Sequence, residues 1–335
     1  MVDTIALTIN SGGASRRSRK RSWLRWGGKA LQGVLTLLFV SILIFIATQT
    51  MPGDVARVIL GVNATPERLA TVRESLGLDL PAWQQYLNWL GGILRGDWGD
   101  SLISGAPIAD TLSIRLRNSL TLGVMALIIM LPISLVVGVI AAQRRDRVFD
   151  KLFMGSSMVV NAVPEFVLGT VLIALFGTTV LHILPPVALI PPDHMPWWHP
   201  LELVLPVTTL VVGGVAYLAR LVRVSFIDVM NSEYIQTALL KGLSTRRILY
   251  RHALPNALAP IIPAASLVAA FLIGGTVVVE YLFSYPGIGL TLIEAVNNRD
   301  LPMIQAVVLI IATAYFVFNF IADALSDAGS SGRKE

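Results

Sequence analysis

The chain has 335 residues, of which 54% are hydrophobic and only 14% charged, and its mean hydropathy of +0.69 is far above that of a water-soluble domain. Its formal net charge of +5 would suit a nucleic-acid-binding protein, but the basic residues lie between long apolar runs, which argues against that class. The absence of cysteine excludes a disulfide framework and any thiolate metal site.

Six long apolar runs divide the chain. A helix needs about 20 apolar residues to cross a hydrocarbon core of ~30 Å, with its backbone groups hydrogen-bonded within it. The sequence therefore predicts an all-α membrane protein with six transmembrane helices. In chain order, the predicted spans cover residues 30–50, 119–142, 152–176, 201–219, 259–282 and 304–325.

The segments between the spans alternate in charge. Nineteen of the 26 Lys and Arg residues lie in alternate segments, and the positive-inside rule places those segments and both termini in the cytoplasm. The predicted cytoplasmic segments are a basic amino-terminal segment (1–29), two loops (143–151 and 220–258) and a tail (326–335). The predicted external loops cover residues 51–118, 177–200 and 283–303.

The first span follows a basic cluster between positions 16 and 21, as the apolar region of a secretory signal does. However, the run 31–46 is long for a signal peptide, and residues 47–52 lack a small-x-small cleavage pattern. We therefore predict an uncleaved anchor, whose basic residues orient the span and contact anionic lipid.

The first external loop is predicted to be helical. Thr65, Pro66 and Gly77 suit a helix cap, a first helical residue and a helix end. A second helix, over residues 82–95, carries aromatic and aliphatic side chains at helical spacing. We predict that this apolar face lies at the membrane interface or packs on the protein's own spans, in preference to forming a ligand-binding site.

The cytoplasmic loop 220–258 carries a short apolar stripe. Four residues share the i, i+1, i+4, i+5 spacing of one helix face: Tyr234, Ile235, Ala238 and Leu239. Gly242 is suited to end this helix, and Ser244 to cap a second one. The apolar face either docks onto a partner protein or rests on lipid headgroups, and the pattern alone does not decide between the two.

Two acidic residues of the predicted spans attract attention. Glu165 lies midway along the third span, where a carboxylate costs about 2.5–3.5 kcal/mol, so it should face the bundle, a partner or a wet pathway. Glu280 lies near the external end of the fifth span, and we predict that it is a structural acceptor holding the turn that contains Pro286 and Gly287. The scattered histidines do not suggest a metal site.

Residues 233–257 resemble the EAA loop of importer-type ABC permeases. That motif reads Glu-Ala-Ala, three residues, Gly, nine residues, Ile-x-Leu-Pro, and it places its second Ala on Ala238, its Gly on Gly242 and its Leu-Pro on residues 254–255. Three positions depart from it, namely Gln236, Thr237 and His252. The form Tyr-Ile-x-Thr-Ala-x-x-Lys-Gly-Leu-Ser is similar to the peptide-permease branch of the family.

Other stretches resemble the same branch in the same order. They are Pro-Gly-Asp at 52–54, Gly-Asp-Trp-Gly at 96–99, Pro-x-Phe at 164–166, Phe-Ser-x-Pro-Gly-x-Gly at 283–289 and Arg-Asp-x-Pro at 299–302. The resemblance implies the six-helix fold of type I ABC importers, with a helical external loop after the first span and a cytoplasmic coupling helix.

The resemblance further implies one permease subunit of a dipeptide/oligopeptide (peptide, nickel or opine) importer in a bacterial inner membrane. Its partners would be a second, commonly non-identical permease, two ATPase subunits holding ATP and Mg²⁺, and an external substrate-binding protein. The implied coupling residues are Tyr234, Ile235, Gln236, Thr237, Ala238, Lys241, Gly242, Leu243 and Ser244. Tyr234 and Ile235 would fill an apolar groove of the ATPase, while Ala238 and Gly242 would allow close backbone approach.

The chain lacks a phosphate-binding loop of its own, because residues 27–29, Gly-Gly-Lys, have neither the spaced upstream glycine nor the following hydroxyl residue. We therefore expect neither enzymatic activity nor a bound cofactor. The alternatives are a six-span secondary carrier, which predicts paired ionisable residues or matching broken helices, and an intramembrane hydrolase, which needs a histidine within a span. The solute stays open among dipeptides, oligopeptides, nickel chelates, glutathione, opines and sugars.

Overall fold

The structure, a computed structural model, describes residues 11–51, 56, 60, 64–75 and 77–331. Within these residues the chain is helical, and the only β-type pairing is an isolated bridge between Asp100 and Pro107. The predicted all-α class is therefore confirmed. The chain divides into two compact units, residues 1–51 and 52–335.

The first unit is a single helix, α1 (Ser11–Gln49). Its apolar part, Trp26–Gln49, is long enough to cross a membrane. No Pro interrupts this stretch, and the hydroxyls of Thr36 and Thr48 donate to carbonyl groups one turn earlier, which satisfies them within the helix.

The second unit contains the remaining described helices. They are α2 (Pro66–Ser75), α3 (Ala82–Leu94), α4 (Ile108–Gln143), α5 (Val148–Ala162), α6 (Glu165–Leu172), α7 (Pro200–Met230), α8 (Glu233–Leu240), α9 (Thr245–Arg247), α10 (Leu254–Leu282), α11 (Ile288–Asn298) and α12 (Leu301–Ser331). A π-helical segment, Ile173–Thr178, extends α6, and another, Ile248–Ala253, joins α9 to α10.

The third predicted span is not one continuous helix. α5 and the second segment, Glu165–Thr178, meet at an angle of 107° across Val163 and Pro164. Proline has no N–H to continue the helix, and it forces the preceding residue out of the helical region, so Val163 is extended (φ −90°, ψ 127°). The expectation of an unbroken helix over residues 152–176 is therefore wrong, and Glu165 begins a helix instead of lying in the middle of one.

Two of the long helices extend beyond their apolar parts. α4 begins at Ile108, well before the predicted start at residue 119, and α7 continues to Met230, past the predicted end at residue 219. The polar ends contain no residue that stops a helix, so helical hydrogen bonding continues through them. The first part of the predicted loop 220–258 is therefore the last part of the fourth-span helix.

Helices α4, α7 and α10 form the core of the second unit. Leu122 and Met130 of α4, Leu210 and Leu218 of α7, and Val279 of α10 belong to one buried cluster. Small residues bring the helices close together. At Gly138 an added Cβ would lie 2.6 Å from the carbonyl oxygen of Ala219, so α4 and α7 are nearly in backbone contact there.

Helix α3 leaves its apolar side exposed. None of its residues is buried, and Trp83, Leu87 and Leu94 on one side of the helix are exposed. Among the described residues, nothing buries this side of the helix, so a position at the membrane interface stays the prediction for it.

The ends of the long helices define two faces of the second unit. We call the end carrying residues 144–147 and 231–247 the loop face, and the end carrying residues 100–107, 177–199 and 283–300 the opposite face. Helices α4, α7 and α10 each run from one of these faces to the other.

Candidate functional site

The segment between α7 and α10 forms a helix–turn–helix on the loop face. Helix α8 starts after Ser232, and its end at Gly242 is a Schellman closure. The N–H of Leu243 donates to the carbonyl of Ala238 (3.3 Å), and the N–H of Gly242 donates to that of Leu239 (2.9 Å). Gly242 has φ +75°, a left-handed conformation that glycine adopts without a steric penalty.

The inward side of this loop packs on the chain itself. Ile235 is fully buried and Ala238 nearly so, and both belong to a cluster with Phe226 of α7 and with Ile248 and Ala253 of the π-helical segment. The expectation that Ile235 fills a groove on a partner, and that Ala238 approaches a partner's backbone, is therefore corrected. Both side chains instead seat the loop on the ends of its own flanking helices.

The outward side of the loop is a different set of residues, which we call the loop surface. Its members are Tyr234, Gln236, Thr237, Leu239, Leu240, Lys241 and Ser244, all of them exposed. Leu240 is 90% exposed, which is extreme for a leucine on a short, well-packed helix. The Tyr234 hydroxyl accepts a hydrogen bond from Asn256 Nδ2 (3.1 Å) and thus ties the loop surface to α10.

The second arm of the loop leads into α10 without a break. Ile248 N–H donates to the Ser244 carbonyl (3.0 Å), and the segment Ile248–Ala253 then passes directly into Leu254–Leu282. Pro255 lies at the first turn of that helix, where its missing N–H does little harm. The loop and the helix of the fifth span are therefore continuous.

Glu165 lies at the break in the third span. It is the first residue of α6, it is exposed, and its carboxylate lies against α10 at Gly275, where an added Cβ would be 2.6 Å from Oε2. The carboxylate forms no hydrogen bond or ion pair with the residues that the structure describes. Its position at a helix amino terminus is electrostatically favourable for a negative charge.

Glu280 lies at the other end of the bundle, on the opposite face, and is fully buried. Its Oε1 accepts a hydrogen bond from Ser119 Oγ (2.6 Å), and its Oε2 accepts from the N–H groups of Gly289 (2.6 Å) and Leu290 (3.3 Å). Because the latter two lie in the first turn of α11, the carboxylate caps that helix. Gly287 is required at its position, since any Cβ there would overlap this carboxylate.

Several partners of this network were not among the residues singled out from the sequence. Asn118 Nδ2 donates to the Pro286 carbonyl (2.8 Å), and the buried Tyr285 hydroxyl donates to the Asn118 carbonyl (2.7 Å). Burial, and secondarily the Glu280 carboxylate, raise the pKa of Tyr285 above its ordinary value. The only sequence signal for these residues is a polar pair, Asn118 and Ser119, at the start of an apolar run.

A second link on the opposite face joins the first external loop to α12. Asp300 is buried and accepts hydrogen bonds from Ser101 Oγ (2.5 Å) and from the N–H of Leu102 (3.2 Å). Its Oδ1 also accepts from Met303 N–H (3.4 Å) in the first turn of α12. Asp300 belongs to the stretch 299–302 that resembles the peptide permeases, and its partners Ser101 and Leu102 closely follow the stretch 96–99.

The two histidines of the loop 177–200 are closer than their spacing suggests. His194 Nδ1 and His199 Nε2 are 2.9 Å apart, within hydrogen-bonding distance. Among the residues that the structure describes, no group of three or more His, Cys, Asp or Glu side chains could hold a metal ion.

Comparison with known proteins assigns the family. Residues 134–330 match the family of binding-protein-dependent transport system inner membrane components, and residues 27–108 match the amino-terminal part of such membrane components. The chain belongs to this family. The expectation of an importer permease subunit is thereby confirmed over that of a self-sufficient secondary carrier.

Individual relatives cover nearly the whole permease. The probable peptide ABC transporter permease protein y4tP of Sinorhizobium fredii is 36% identical over 87% of this chain and 92% of its own. The glutathione transport system permease protein GsiC of Escherichia coli (strain K12) is 36% identical over 89% of this chain and 94% of its own. A chain of the MetNI methionine ABC transporter in an inward-facing conformation matches 66% of this chain and 94% of its own, with a TM-score of 0.47 and 18% identity.

Proposed function

We propose that this permease forms half of the pathway of an ATP-driven importer of short peptides or peptide-like solutes. The support for the solute class comes from the two relatives, one described as a probable peptide permease and the other as a glutathione permease. Glutathione is itself a short peptide, so both descriptions name the same class of solute. A second, homologous permease would complete the pathway, and an external binding protein would deliver the solute.

The loop surface supports a partner on the loop face. Leu240 and Leu239 are exposed side by side on a loop that Ile235 holds against the chain's own helices. This exposed apolar pair is suited to an apolar groove. We propose that this groove belongs to an ATPase subunit, one for each of the two permeases, which holds ATP and Mg²⁺. The loop face would then be cytoplasmic, in agreement with the excess of Lys and Arg in the segments 1–29, 143–151, 220–258 and 326–335.

The proposed mechanism is alternating access driven from the loop. Closure of the ATPase pair would displace both loops, and the seated inner side of each loop would carry that displacement into α7 and α10 as a rigid-body movement. Glu165 would line the pathway at the break, because an exposed carboxylate of a membrane span needs water, protein or solute around it.

The proposal is tested by purifying the tagged chain from its membrane and reconstituting what accompanies it. The expected result is a complex with a second permease and ATPases, which accumulates dipeptides, tripeptides or glutathione only when ATP and the binding protein are both supplied. Transport of the same solutes by the isolated chain, without any ATPase, would overturn it. ATP-driven uptake of opines, sugars or nickel chelates with no uptake of peptides would contradict the solute class alone.

A further inference from the structure

A buried ion pair joins the broken third span to the helix that enters the loop. Asp150 lies in the first turn of α5, and Arg223 lies two turns before the end of α7. Arg223 Nε is 2.5 Å from Asp150 Oδ1, and Nη2 is 2.6 Å from Oδ2, which is a bidentate arrangement. The side chain of Asp150 is 3% exposed and that of Arg223 is 15% exposed.

The turn before α5 is shaped around this carboxylate. Asp146 has φ +64°, and in that conformation its N–H donates to Asp150 Oδ2 (3.0 Å). A left-handed non-glycine residue costs free energy that the surrounding contacts must offset. The short segment between α4 and α5 is thus fixed onto the same carboxylate that binds α7.

The chain provides a contrasting pair nearby. Arg145 and Asp146 are within ion-pair distance at 3.5 Å, but their side chains are 56% and 81% exposed. Such surface pairs contribute little, because water and salt screen them. Loss of one partner of the buried pair would instead leave a charge without compensation at a position with little exposure to solvent.

The other half of the broken span is held by α10. The carboxylate of Glu165 lies on Gly275, and Gly169 approaches Leu282 so closely that an added Cβ would overlap that side chain. Thr209 of α7 also contacts Gly169, so α6 lies between the two helices that flank the loop. α5 is therefore fastened to α7 by an ion pair, whereas α6 reaches across to α10 by close packing.

These contacts connect the four helices α5, α6, α7 and α10 in a closed series. The loop joins α7 to α10, the ion pair joins α7 to α5, the break joins α5 to α6, and Glu165 on Gly275 joins α6 back to α10. We propose that Asp150 and Arg223 are positioning residues for transport, which convert a movement of the loop into a change of angle at the break between α5 and α6. This inference rests on the proposed function of the loop, and it adds the route by which the movement reaches Glu165.

The break is the place where a change of angle between helices is expected. Pro164 has no N–H, so the angle between α5 and α6 can change without loss of a helical hydrogen bond at that residue. α7 and α10 also contain prolines, at Pro206 and Pro263, but the helix continues past each of them, whereas it is interrupted at Val163 and Pro164. A relative shift of α7 and α10 would therefore be absorbed at Val163 and Pro164.

The experiment uses the absence of cysteine from the natural chain. Ala162→Cys, at the exposed end of α5, reports on the break through its rate of reaction with a water-soluble thiol reagent in the reconstituted complex. We expect the rate to change several-fold between the nucleotide-free complex and the complex trapped with ATP. In Arg223→Gln this change should be lost and solute transported per ATP hydrolysed should fall, while assembly and ATP hydrolysis persist. Arg145→Gln, which removes a charge from the exposed pair, should behave as the parent.

A second pair of variants keeps the test decisive if Arg223→Gln does not assemble. Gly275→Ala would displace Glu165, whereas a Cβ at the neighbouring Gly274 would meet no atom within 4 Å. We expect Gly275→Ala to abolish the nucleotide-dependent change at position 162, and Gly274→Ala to retain it. The charge-swapped variant Asp150→Arg/Arg223→Asp should recover part of the change.

The outcomes separate this inference from the function on which it rests. The inference is overturned, and the proposed function left intact, by either of two results. The first is a parent complex that transports with ATP but shows no change in reaction rate at position 162. The second is an Arg223→Gln or Gly275→Ala complex with a normal change and normal transport per ATP. Transport that does not require ATP in the parent complex overturns the proposed function itself.

Discussion

Gly242 combines a special backbone conformation with free space around it. Its φ of +75° closes α8, yet an added Cβ would meet no atom within 4 Å. Any effect of substitution in this chain therefore comes from the left-handed conformation, which costs ordinary residues roughly 1–2 kcal/mol and costs asparagine less. A side chain here would otherwise meet only a partner.

Two substitutions at Gly242 separate these effects. We expect Gly242→Val to lose most ATP-driven uptake, because a β-branched residue cannot keep the closure between Leu243 and Ala238, while Gly242→Asn retains the closure. The measurements are uptake, ATP hydrolysis and retention of the ATPases on purification. Equal, normal values for both variants would mean that this loop does not carry the coupling.

Glu280 permits a prediction about stability. Glu280→Leu would leave the N–H groups of Gly289 and Leu290 without their acceptor, at about 1–3 kcal/mol for each buried group, whereas Glu280→Gln keeps one oxygen for them. We expect a lower thermal unfolding midpoint and faster proteolysis within residues 283–300 for Glu280→Leu, with a smaller effect for Glu280→Gln. Glu294→Leu, at an exposed position of α11, is the matched control. A midpoint for Glu280→Leu equal to that of the control would contradict the capping role.

Whether the sequence could predict a residue's contacts depended on how far along the chain the contacting residue lies. The positive φ of Gly242 follows from residues within one turn, so the pattern of an apolar stripe ending in glycine was enough to predict a helix end there. The partners of Glu280 and Asp300 lie up to 199 positions away along the chain, and no local pattern indicates which side chains meet.

Helix α8 shows why an apolar stripe predicts that a segment is helical better than it predicts which side of the helix is buried. The predicted face combined Tyr234, Ile235, Ala238 and Leu239, but Ile235 and Ala238 point inward, and Leu239 points outward with Leu240. In a helix of eight residues the stripe covers half of the circumference, so two adjacent faces fit it equally well. Ile248 comes close to α8 only in the folded chain, and the side of α8 that faces it is the buried one.

The two faces of α8 should respond differently to substitution. Leu240→Glu places a charge on the loop surface, so we expect release of the ATPases with the loop still resistant to protease. Ile235→Ala removes buried methyl groups, at about 2–5 kcal/mol, so we expect a loosened, protease-sensitive loop and weaker coupling. Leu240→Glu with normal ATPase retention would exclude Leu240 from the contact. Glu233→Gln, at an exposed position of α8 outside the loop surface, serves as the control.

The broken third span is a second feature of an element that hydropathy does not reveal. The run 152–176 has no charged residue except Glu165, and its average hydropathy is the same whether the helix is straight or bent. Pro164 is the local signal, but proline also occurs within the unbroken helices α4 and α7, at Pro132 and Pro206. Proline permits a break, and the packing of α5 and α6 on different neighbours produces it.

For the whole molecule, composition and periodicity were sufficient for the fold class, because a membrane restricts an apolar chain to few structures. Five described helices are long and apolar enough to cross a membrane, or six with the bent pair as one span. Apart from the local closure at Gly242, the site needed more than the sequence, because its contacts join segments whose separation is set by helix packing. The Asp150–Arg223 pair, for example, joins residues in two segments that the sequence assigns to different connections.

The orientation of the molecule is open to a direct test in intact cells. Nineteen of the 26 basic residues lie in segments at the termini or on the loop face, so we expect that face in the cytoplasm. Ser104→Cys on the opposite face and Ser244→Cys on the loop surface are both exposed, and the chain has no other cysteine to react. Ser101 is unsuitable as a reporter, because it is buried against Asp300. A membrane-impermeant maleimide should label Ser104→Cys in intact cells and Ser244→Cys only after permeabilisation, with the unsubstituted chain as the blank. The reverse pattern would place the loop surface outside the cell, where no ATPase could reach it.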